Sequence, residues 1–242
     1  MAEKLVEKRV LQAYQCDKYS NVRPLILMNE LQSIADRHAE ILGCGRTYCL
    51  QNNLGWVVMY YLVDIIELPT EGEELTLSTW PSCQDALRAT RDFEVRGADG
   101  RLMVRATSQW ILIDINSRRP LPLEKHLSPD VVVANRAYSC AFEKFPDFET
   151  TKTHIFKCRF DDIDVNQHIN NAVYAVWATE SVGYEYRTHH KLAKIDINFK
   201  KEIKPDTPEV NIDVAIDGLV SRHKIRVGDT EHAIIICHWE QI

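Results

Sequence analysis

A chain of 242 residues, 45% hydrophobic and 26% charged, has the composition of a globular protein and the length of one large domain or two small ones. Its net charge of −6 argues against a nucleic-acid binder, and its longest apolar runs, such as residues 56–66, fall well short of a membrane span. Seven scattered cysteines without a CxxC pair argue against a disulfide framework and a zinc site. The charged N-terminus lacks the apolar stretch of a signal peptide, so a soluble cytoplasmic protein is expected, with neither metal nor cofactor.

The first half of the chain predicts a short strand, then one helix, then four longer strands. The helix is expected over residues 26–42, with Gly43 as its C-cap. Its apolar face, at a spacing of 3.6 residues, comprises Leu27, Leu31, Ile34, Ala35, His38 and Leu42. The strands are expected over residues 56–67, 73–82, 88–97 and 101–115, with the sequence GADG as a hairpin turn between the last two.

The second half predicts the same order of elements. A helix is expected over residues 170–182, with Gly183 after it and Val173, Val176 and Trp177 facing inward. Four strands follow, over residues 192–203, 209–217, 221–228 and 231–240. Residues 116–150 between the halves are rich in prolines and charges, as in a connector. The predicted domains are therefore residues 1–128 and 149–242, joined by a linker over residues 129–148.

A weak internal repeat supports this division. A shift of 142 positions aligns Tyr14 with Phe156 and Cys16 with Cys158, and further along the shift shrinks until Trp110 meets Trp239. One helix wrapped by a curved antiparallel sheet, occurring twice in tandem, is an α+β double hotdog. The second copy would have the shorter loops.

The segment RFDDIDVNQHINNAVYAVW, residues 159–177, places Asp164, Asn166 and His168 at alternate positions just before the second helix. These residues are either an elaborate helix cap or half of an active site. In the alignment they fall on Val22, Pro24 and Ile26, and this asymmetry between the halves favours an active site. A calcium loop is excluded, because its sixth position would be Gln167 and its twelfth Val173.

The motif DIDVNQHINNAVYAVW, followed by INFKKEI, resembles the acyl-acyl-carrier-protein (acyl-ACP) thioesterases of plants and bacteria. In the first half, LMNELQSIADRHAEILG, WVVMYYLVDI, LTLSTWPS and VRATSQWILIDINSRRP resemble the same family, so the likeness covers nearly the whole chain. Because no chloroplast transit segment is seen, a bacterial member is expected.

The resemblance implies hydrolysis of fatty acyl-ACP to free fatty acid. It places the family's catalytic residues on Asp164, Asn166, His168 and Glu202. Some plant members carry a cysteine after the glutamate, but this chain has Ile203, so activated water is expected to attack. Glu202 is the candidate base, with His168 orienting or deprotonating the water, Asp164 fixing the imidazole or the motif, and Asn166 as a donor. Backbone N–H groups at the start of the following helix are expected to stabilise the oxyanion.

The first half is expected to supply the acyl pocket. Its candidate lining residues are Met28, Leu31, Ile34, Ala35, His38, Trp56, Val58 and Tyr60, each of which is also compatible with simple core packing. Acyl carrier protein, the expected transient partner, is acidic and needs a local basic patch. The candidates for this patch are Arg88, Arg91, Arg118, Arg119, Lys200 and Lys201. An acyl-CoA thioesterase, a non-catalytic acyl-thioester binder and a homodimer stay open as alternatives, whereas the motif does not match a dehydratase.

Overall fold

Two stretches of the chain with the same order of elements fold as separate units in the computed structural model, which describes residues 3–138, 142 and 145–242. The first unit comprises Met1–Arg23 and Asn29–Ala141, and the second comprises Pro24–Met28 and Phe142–Ile242. Five positions of the expected linker, among them Cys140, lie outside the described residues.

The first unit contains a five-stranded antiparallel sheet and one long helix. Its elements are β1 (Leu5–Val10), α1 (Pro24–Ile41, without its first five residues), α2 (Arg46–Asn52), β2 (Leu54–Ile65), β3 (Glu74–Gln84), β4 (Arg88–Gly97) and β5 (Leu102–Asp114). The strands lie in the order β1-β3-β4-β5-β2. The predicted helix and four strands are confirmed, and Gly43 follows the helix at a φ of 73°. Helix α2 was missed because seven mostly polar residues carry no usable periodicity.

A β-bulge changes which side chains of β2 face the interior of the first unit. The register with β5 shifts between Val58 and Tyr60, so Met59 is an extra residue on β2. Tyr60, an expected pocket residue, therefore faces the opposite side of the sheet from Val58. Tyr61 is buried in its place and Tyr60 is half-buried.

The segment after β5 is anchored to the first unit rather than free. Leu123 and Leu127 are buried in an apolar cluster with residues of β2 and β5. Beyond them, the fully buried carboxylate of Asp92 accepts hydrogen bonds from Arg136 Nε at 2.9 Å and from the Ala137 N–H at 2.8 Å. The first part of the predicted linker therefore packs on the first unit, where it pairs with a buried charge.

The second unit repeats the arrangement with shorter loops. Its elements are β6 (Lys152–Lys157), α3 (Asn171–Ser181), α4 (Tyr184–His189), β7 (His190–Phe199), β8 (Glu209–Asp217), β9 (Val220–Val227) and β10 (Thr230–Gln241). The strands lie in the order β7-β10-β9-β8-β6 and pair antiparallel. Gly183, at a φ of 92°, separates α3 from the short α4, which the sequence did not predict. The α+β double hotdog is confirmed.

The duplication is present, but its first part was aligned incorrectly. The loop of residues 16–22 recurs as residues 163–169, and each copy has one residue, Ser20 or Gln167, at a φ of 61°. Tyr14 lies in a short 3-10 turn whose counterpart is Phe160–Asp162, whereas Phe156 lies on β6, the counterpart of β1. The chance pairing of two cysteines had shifted the alignment by five residues.

Candidate active site

The three polar residues before the second long helix lie on a closed loop. Ile163 and Ile169 bridge its two ends. Inside them, the Asp164 N–H donates to the His168 carbonyl at 2.9 Å, and the Gln167 N–H donates to the Asp164 carbonyl at 3.0 Å. Such a loop fixes the backbone of all three residues before the helix begins.

The Asp164 carboxylate organises this loop. Its Oδ1 accepts the Asn166 N–H at 2.8 Å and lies 3.4 Å from the His168 backbone nitrogen. Its Oδ2 lies 3.5 Å from the Asn166 side-chain nitrogen. Within the described residues, Asp164 makes no hydrogen bond to the His168 ring, so of its two expected roles the geometry matches the one of shaping the motif.

His168 and Glu202 come together through a backbone contact between the residues that follow them. The Ile169 N–H donates to the Ile203 carbonyl at 3.2 Å. His168 Nε2 then lies 3.4 Å from Glu202 Oε2, with 34% and 30% of the two side chains exposed. An imidazole and a carboxylate in direct contact and both open to solvent can each reach one water molecule that lies beside them.

The first unit has the same loop without these groups. Asp17 Oδ1 accepts the Tyr19 N–H at 2.9 Å and the Asn21 N–H at 3.1 Å, as Asp164 does in the second unit. Asp164, Asn166 and His168 therefore correspond to Asp17, Tyr19 and Asn21. The earlier alignment with Val22, Pro24 and Ile26 was wrong.

In the first unit, an apolar residue occupies the position that corresponds to Glu202. The Val22 N–H donates to the Pro69 carbonyl at 2.8 Å, in the same way as the bond from Ile169 to Ile203. Leu68 therefore occupies the place of Glu202. One scaffold occurs twice, and only the second copy carries an imidazole beside a carboxylate.

The N-terminus of α3 offers fewer free donors than expected. Asn170 is its N-cap, and the Asn170 side chain accepts the Ala172 N–H at 2.9 Å. The Val173 N–H donates to the Asn170 carbonyl at 2.9 Å. These two amides are thus already used within the helix.

Tyr174 is a buried residue near the site that sequence reasoning did not single out. Burial raises the pKa of its phenol, and the nearby Glu202 and Asp164 carboxylates raise it further. Its ring packs against Trp177 and Phe199. A tyrosine six residues after the histidine, on a helix face that otherwise reads as apolar, was the available signal.

Cys158 lies close enough to Tyr174 to influence its pKa. Burial raises the pKa of the Cys158 thiol itself to about 11, so this thiol is neutral near pH 7. Ile203 follows Glu202 in the chain. Across the ranges 3–138, 142 and 145–242, the structure has no cluster of three His, Cys, Asp or Glu side chains suited to a metal ion. Helices in those ranges are all too short or too polar to cross a bilayer.

Most of the expected pocket residues are buried. Six of them are buried, namely Met28, Leu31, Ile34, Ala35, His38 and Val58. Trp56 is half-buried, and its Nε1 donates to the Cys44 carbonyl at 2.9 Å.

The expected basic residues divide into exposed and internal ones. Arg118, Arg119 and Lys201 are exposed, as are Lys200, which pairs with Glu231, and Arg88, which pairs with Asp85. Arg91 was wrongly expected on the surface. Its guanidinium lies 3.0 Å from the ring of His38 and is largely withdrawn from water.

Comparisons with known proteins cover both units. The profile of the acyl-ACP thioesterase N-terminal domain matches residues 3–130, and that of the C-terminal domain matches residues 146–241. A chloroplastic acyl-acyl-carrier-protein hydrolase from Cuphea viscosissima is 28% identical over 196 residues, which are 75% of this chain and 47% of that protein. A chloroplastic oleoyl-acyl carrier protein thioesterase from Arabidopsis thaliana is 25% identical over 219 residues, 83% of this chain and 60% of that protein. The chain spans about half the length of the curated relatives it matches.

Solved structures share the fold along the whole chain. The 12:0-ACP thioesterase from Umbellularia californica superposes with a TM-score of 0.88 at 21% identity and covers 99% of this chain and 98% of its own. An acyl-ACP thioesterase from Bacteroides thetaiotaomicron gives a TM-score of 0.86 at 20% identity, with 98% of both chains covered. At this level of identity the likeness shows a common fold.

Proposed function

The chain belongs to the acyl-ACP thioesterase family, and from this membership we propose that it hydrolyses fatty acyl-ACP to free fatty acid and carrier thiol. The observation that carries the proposal is the pair formed by His168 Nε2 and Glu202 Oε2, 3.4 Å apart and open to solvent. The same loop in the first unit lacks both groups, so the fold itself does not require them.

Glu202 and His168 activate a water molecule in this proposal. The two side chains hold the water, and the Glu202 carboxylate accepts its proton as the oxygen attacks the thioester carbonyl carbon. The carbon–oxygen bond forms, the carbonyl oxygen becomes an oxyanion, and the carbon–sulfur bond then breaks. The proton on Glu202 passes to the departing thiolate, which restores the carboxylate.

The other motif residues support this step without taking the proton. The Asn166 side-chain amide is the proposed donor to the developing oxyanion, because the Ala172 and Val173 amides of α3 are occupied. Asp164 holds the backbone of the loop and so positions Asn166 and His168. Ile203 leaves no side-chain nucleophile next to Glu202.

In this proposal the two units have different roles. The second unit carries the reacting groups, and the buried face of α1 in the first unit, which includes Leu31 and Ile34, binds the acyl chain. Acyl carrier protein is the transient partner that delivers the substrate.

The test is release of free acid from acyl-ACP and acyl-CoA substrates over a range of chain lengths. We expect hydrolysis of acyl-ACP by the unchanged protein. Glu202→Gln and His168→Gln should each lower kcat by about 10²–10⁴-fold, the usual contribution of a positioned acid or base. Circular dichroism and thermal unfolding show whether each variant keeps its fold.

Glu209→Gln is the matched control, because Glu209 is an exposed glutamate on β8 of the same unit. It should hydrolyse acyl-ACP at the unchanged rate. Near-normal rates in both Glu202→Gln and His168→Gln would reject the site. Hydrolysis confined to acyl-CoA would reject carrier protein as the partner.

A further inference from the structure

Polar side chains line one row across the sheet of the first unit. Arg91 on β4 faces Ser108 on β5, and Ser108 faces Tyr61 on β2, so these side chains share one face of the sheet. His38 on α1 meets the row from above, with its Nδ1 3.0 Å from Arg91 Nη1. The same nitrogen of Arg91 lies 3.2 Å from the Thr79 hydroxyl.

The donors of this row are only partly used. Tyr61 is 2% exposed. Its hydroxyl meets the geometric criteria for a hydrogen bond with none of the described residues. Ser108 is close enough to lower its pKa slightly against the larger effect of burial. Arg91 forms no ion pair with any described residue, and its bonds to His38 and Thr79 both involve Nη1. A buried hydroxyl without a partner costs about 1–3 kcal/mol, and a ligand atom that accepts from this hydroxyl would remove that cost.

Arg91 is only partly exposed, and its guanidinium has lost much of its hydration. Its side chain is half-buried, yet burial lowers the pKa of its guanidinium to about 10. Burial likewise lowers the pKa of His38 to about 4, so the neutral imidazole accepts a hydrogen bond from Arg91 without compensating its charge. The guanidinium charge of Arg91 is thus held in poorly solvated surroundings without an ion pair to any described residue.

The second unit has no such row at the corresponding position. Trp110 and Trp239 occupy corresponding positions, so Cys237, two residues before Trp239, corresponds to Ser108. Its neighbours across the sheet are Ser221 and Ile195. All three are buried, and the Ser221 hydroxyl accepts the Trp239 Nε1–H at 2.9 Å. A hotdog unit can therefore fold with a mostly apolar row whose one hydroxyl is hydrogen-bonded inside the unit. The open donors of the first unit are an addition to the scaffold.

We infer that Arg91 and Tyr61 form a polar subsite that binds an oxygen atom on the acyl chain of the substrate, so that the substrate class includes chains bearing a hydroxyl or oxo group. This inference rests on the proposed function, in which the first unit holds the acyl chain. A guanidinium and a phenol hydroxyl both donate, so the complementary group is a hydrogen-bond acceptor. A plain alkyl chain would leave both donors unpaired.

Straight-chain acyl-ACP substrates of one length test the subsite, with no oxygen, a β-hydroxyl or an ω-hydroxyl on the chain. We expect the unchanged protein to favour one hydroxylated chain over the plain chain by about tenfold in kcat/KM, the worth of one buried hydrogen bond. Tyr61→Phe should lower that preference, measured as the ratio of kcat/KM for the hydroxylated chain to kcat/KM for the plain chain. Thermal unfolding shows whether the variant keeps its fold. Tyr14→Phe, at an exposed tyrosine of the same unit, is the matched control and should keep the preference.

Calorimetric titration with the free hydroxy and plain fatty acids provides a readout that needs no hydrolysis. Tighter binding of one hydroxy acid, lost in Tyr61→Phe, supports the subsite even if no thioester is cleaved, and the proposed function would then fail alone. Equal affinity and equal kcat/KM for plain and hydroxylated chains would overturn the subsite while leaving thioester hydrolysis intact. An unchanged preference in Tyr61→Phe would overturn it as well.

Discussion

Asp164 and Asp17 occupy the same position in two copies of one loop, and each accepts two backbone N–H groups. Only Asp164 has an imidazole and a carboxylate downstream of it. An acid found in both copies belongs to the loop, and the groups found in one copy belong to the chemistry. On this comparison we propose that Asp164 positions the loop, whereas His168 and Glu202 act on the substrate.

Alanine at the two aspartates separates stability from catalysis. Asp17→Ala and Asp164→Ala should each lower the free energy of unfolding by about 1 kcal/mol, because each removes the acceptor for two backbone amides. Asp164→Ala should also lower kcat by about tenfold or more, since a small displacement of His168 disrupts its alignment with Glu202. Urea unfolding and acyl-ACP hydrolysis measure the two effects. An equal loss of kcat in Asp17→Ala would contradict the division of roles.

A chain of hydrogen bonds joins α3 to the sheet of the second unit through buried His223. The Trp239 Nε1–H donates to the Ser221 hydroxyl at 2.9 Å, and Ser221 lies 2.8 Å from His223 Nε2. On the other side, His223 Nδ1 lies 3.0 Å from the Ser181 hydroxyl, which donates to the Ala178 carbonyl at 2.9 Å. Every group is satisfied when His223 is neutral with its proton on Nδ1. A second proton would displace the bond from Ser221.

This network makes the second unit sensitive to acid. Burial lowers the pKa of His223 to about 3, whereas the ordinary value in an unfolded chain is 6.5. Between these values the unfolded chain binds a proton that the folded unit does not, so stability is full above pH 6.5 and falls as the pH drops, by about 1.4 kcal/mol per pH unit. His223→Gln should be less stable at pH 7.5 but should show a smaller fall between pH 6 and pH 5.

Urea unfolding at pH 7.5, 6 and 5 measures this dependence. His189→Gln, at an exposed histidine of the same unit, should keep the dependence of the unchanged protein. Buried His38, whose pKa burial lowers to about 4, keeps its own contribution in both variants. Parallel curves for His223→Gln and the unchanged protein would show that His223 does not carry the effect.

The sequence predicted the long elements because long amphipathic periods are strong signals, and helix α1 and the strands of both sheets follow them. It missed α2 and α4, which are too short for a period to register. The inward face of β2 could not be predicted beyond Val58, because the bulge at Met59 is set by pairing with β5. Local patterns do not encode that pairing.

The polar triplet was visible because Asp164, Asn166 and His168 stand together before an apolar helix, but their partner was not. Glu202 came from the family resemblance, since the bond from Ile169 to Ile203 that brings it to His168 leaves no mark in composition or period. Arg91 was misjudged for a similar reason. A charged residue on a strand predicts exposure, and only the fold places His38 opposite it.

At the scale of the whole molecule, an acidic chain is proposed to bind an acidic partner. The net charge is −6, so long-range attraction to carrier protein has to come from local positive groups. Lys201 is exposed and adjacent in sequence to Glu202, and the substrate thioester must reach Glu202. A positive charge there favours the approach of an acidic carrier.

Lys201→Glu should therefore raise KM for acyl-ACP by about three- to tenfold at low salt and leave kcat unchanged. Because the Debye length shortens to about 3 Å at 1 M salt, the difference from the unchanged protein should shrink as salt is added. An acyl thioester on a small neutral thiol should show no change in KM.

Lys8→Glu, which makes the same charge change at an exposed lysine on β1 of the first unit, controls for net charge. If Lys8→Glu raised KM equally, net charge rather than a local contact would govern binding. If Lys201→Glu weakened the neutral substrate as well, the residue would act on the site and not on the carrier.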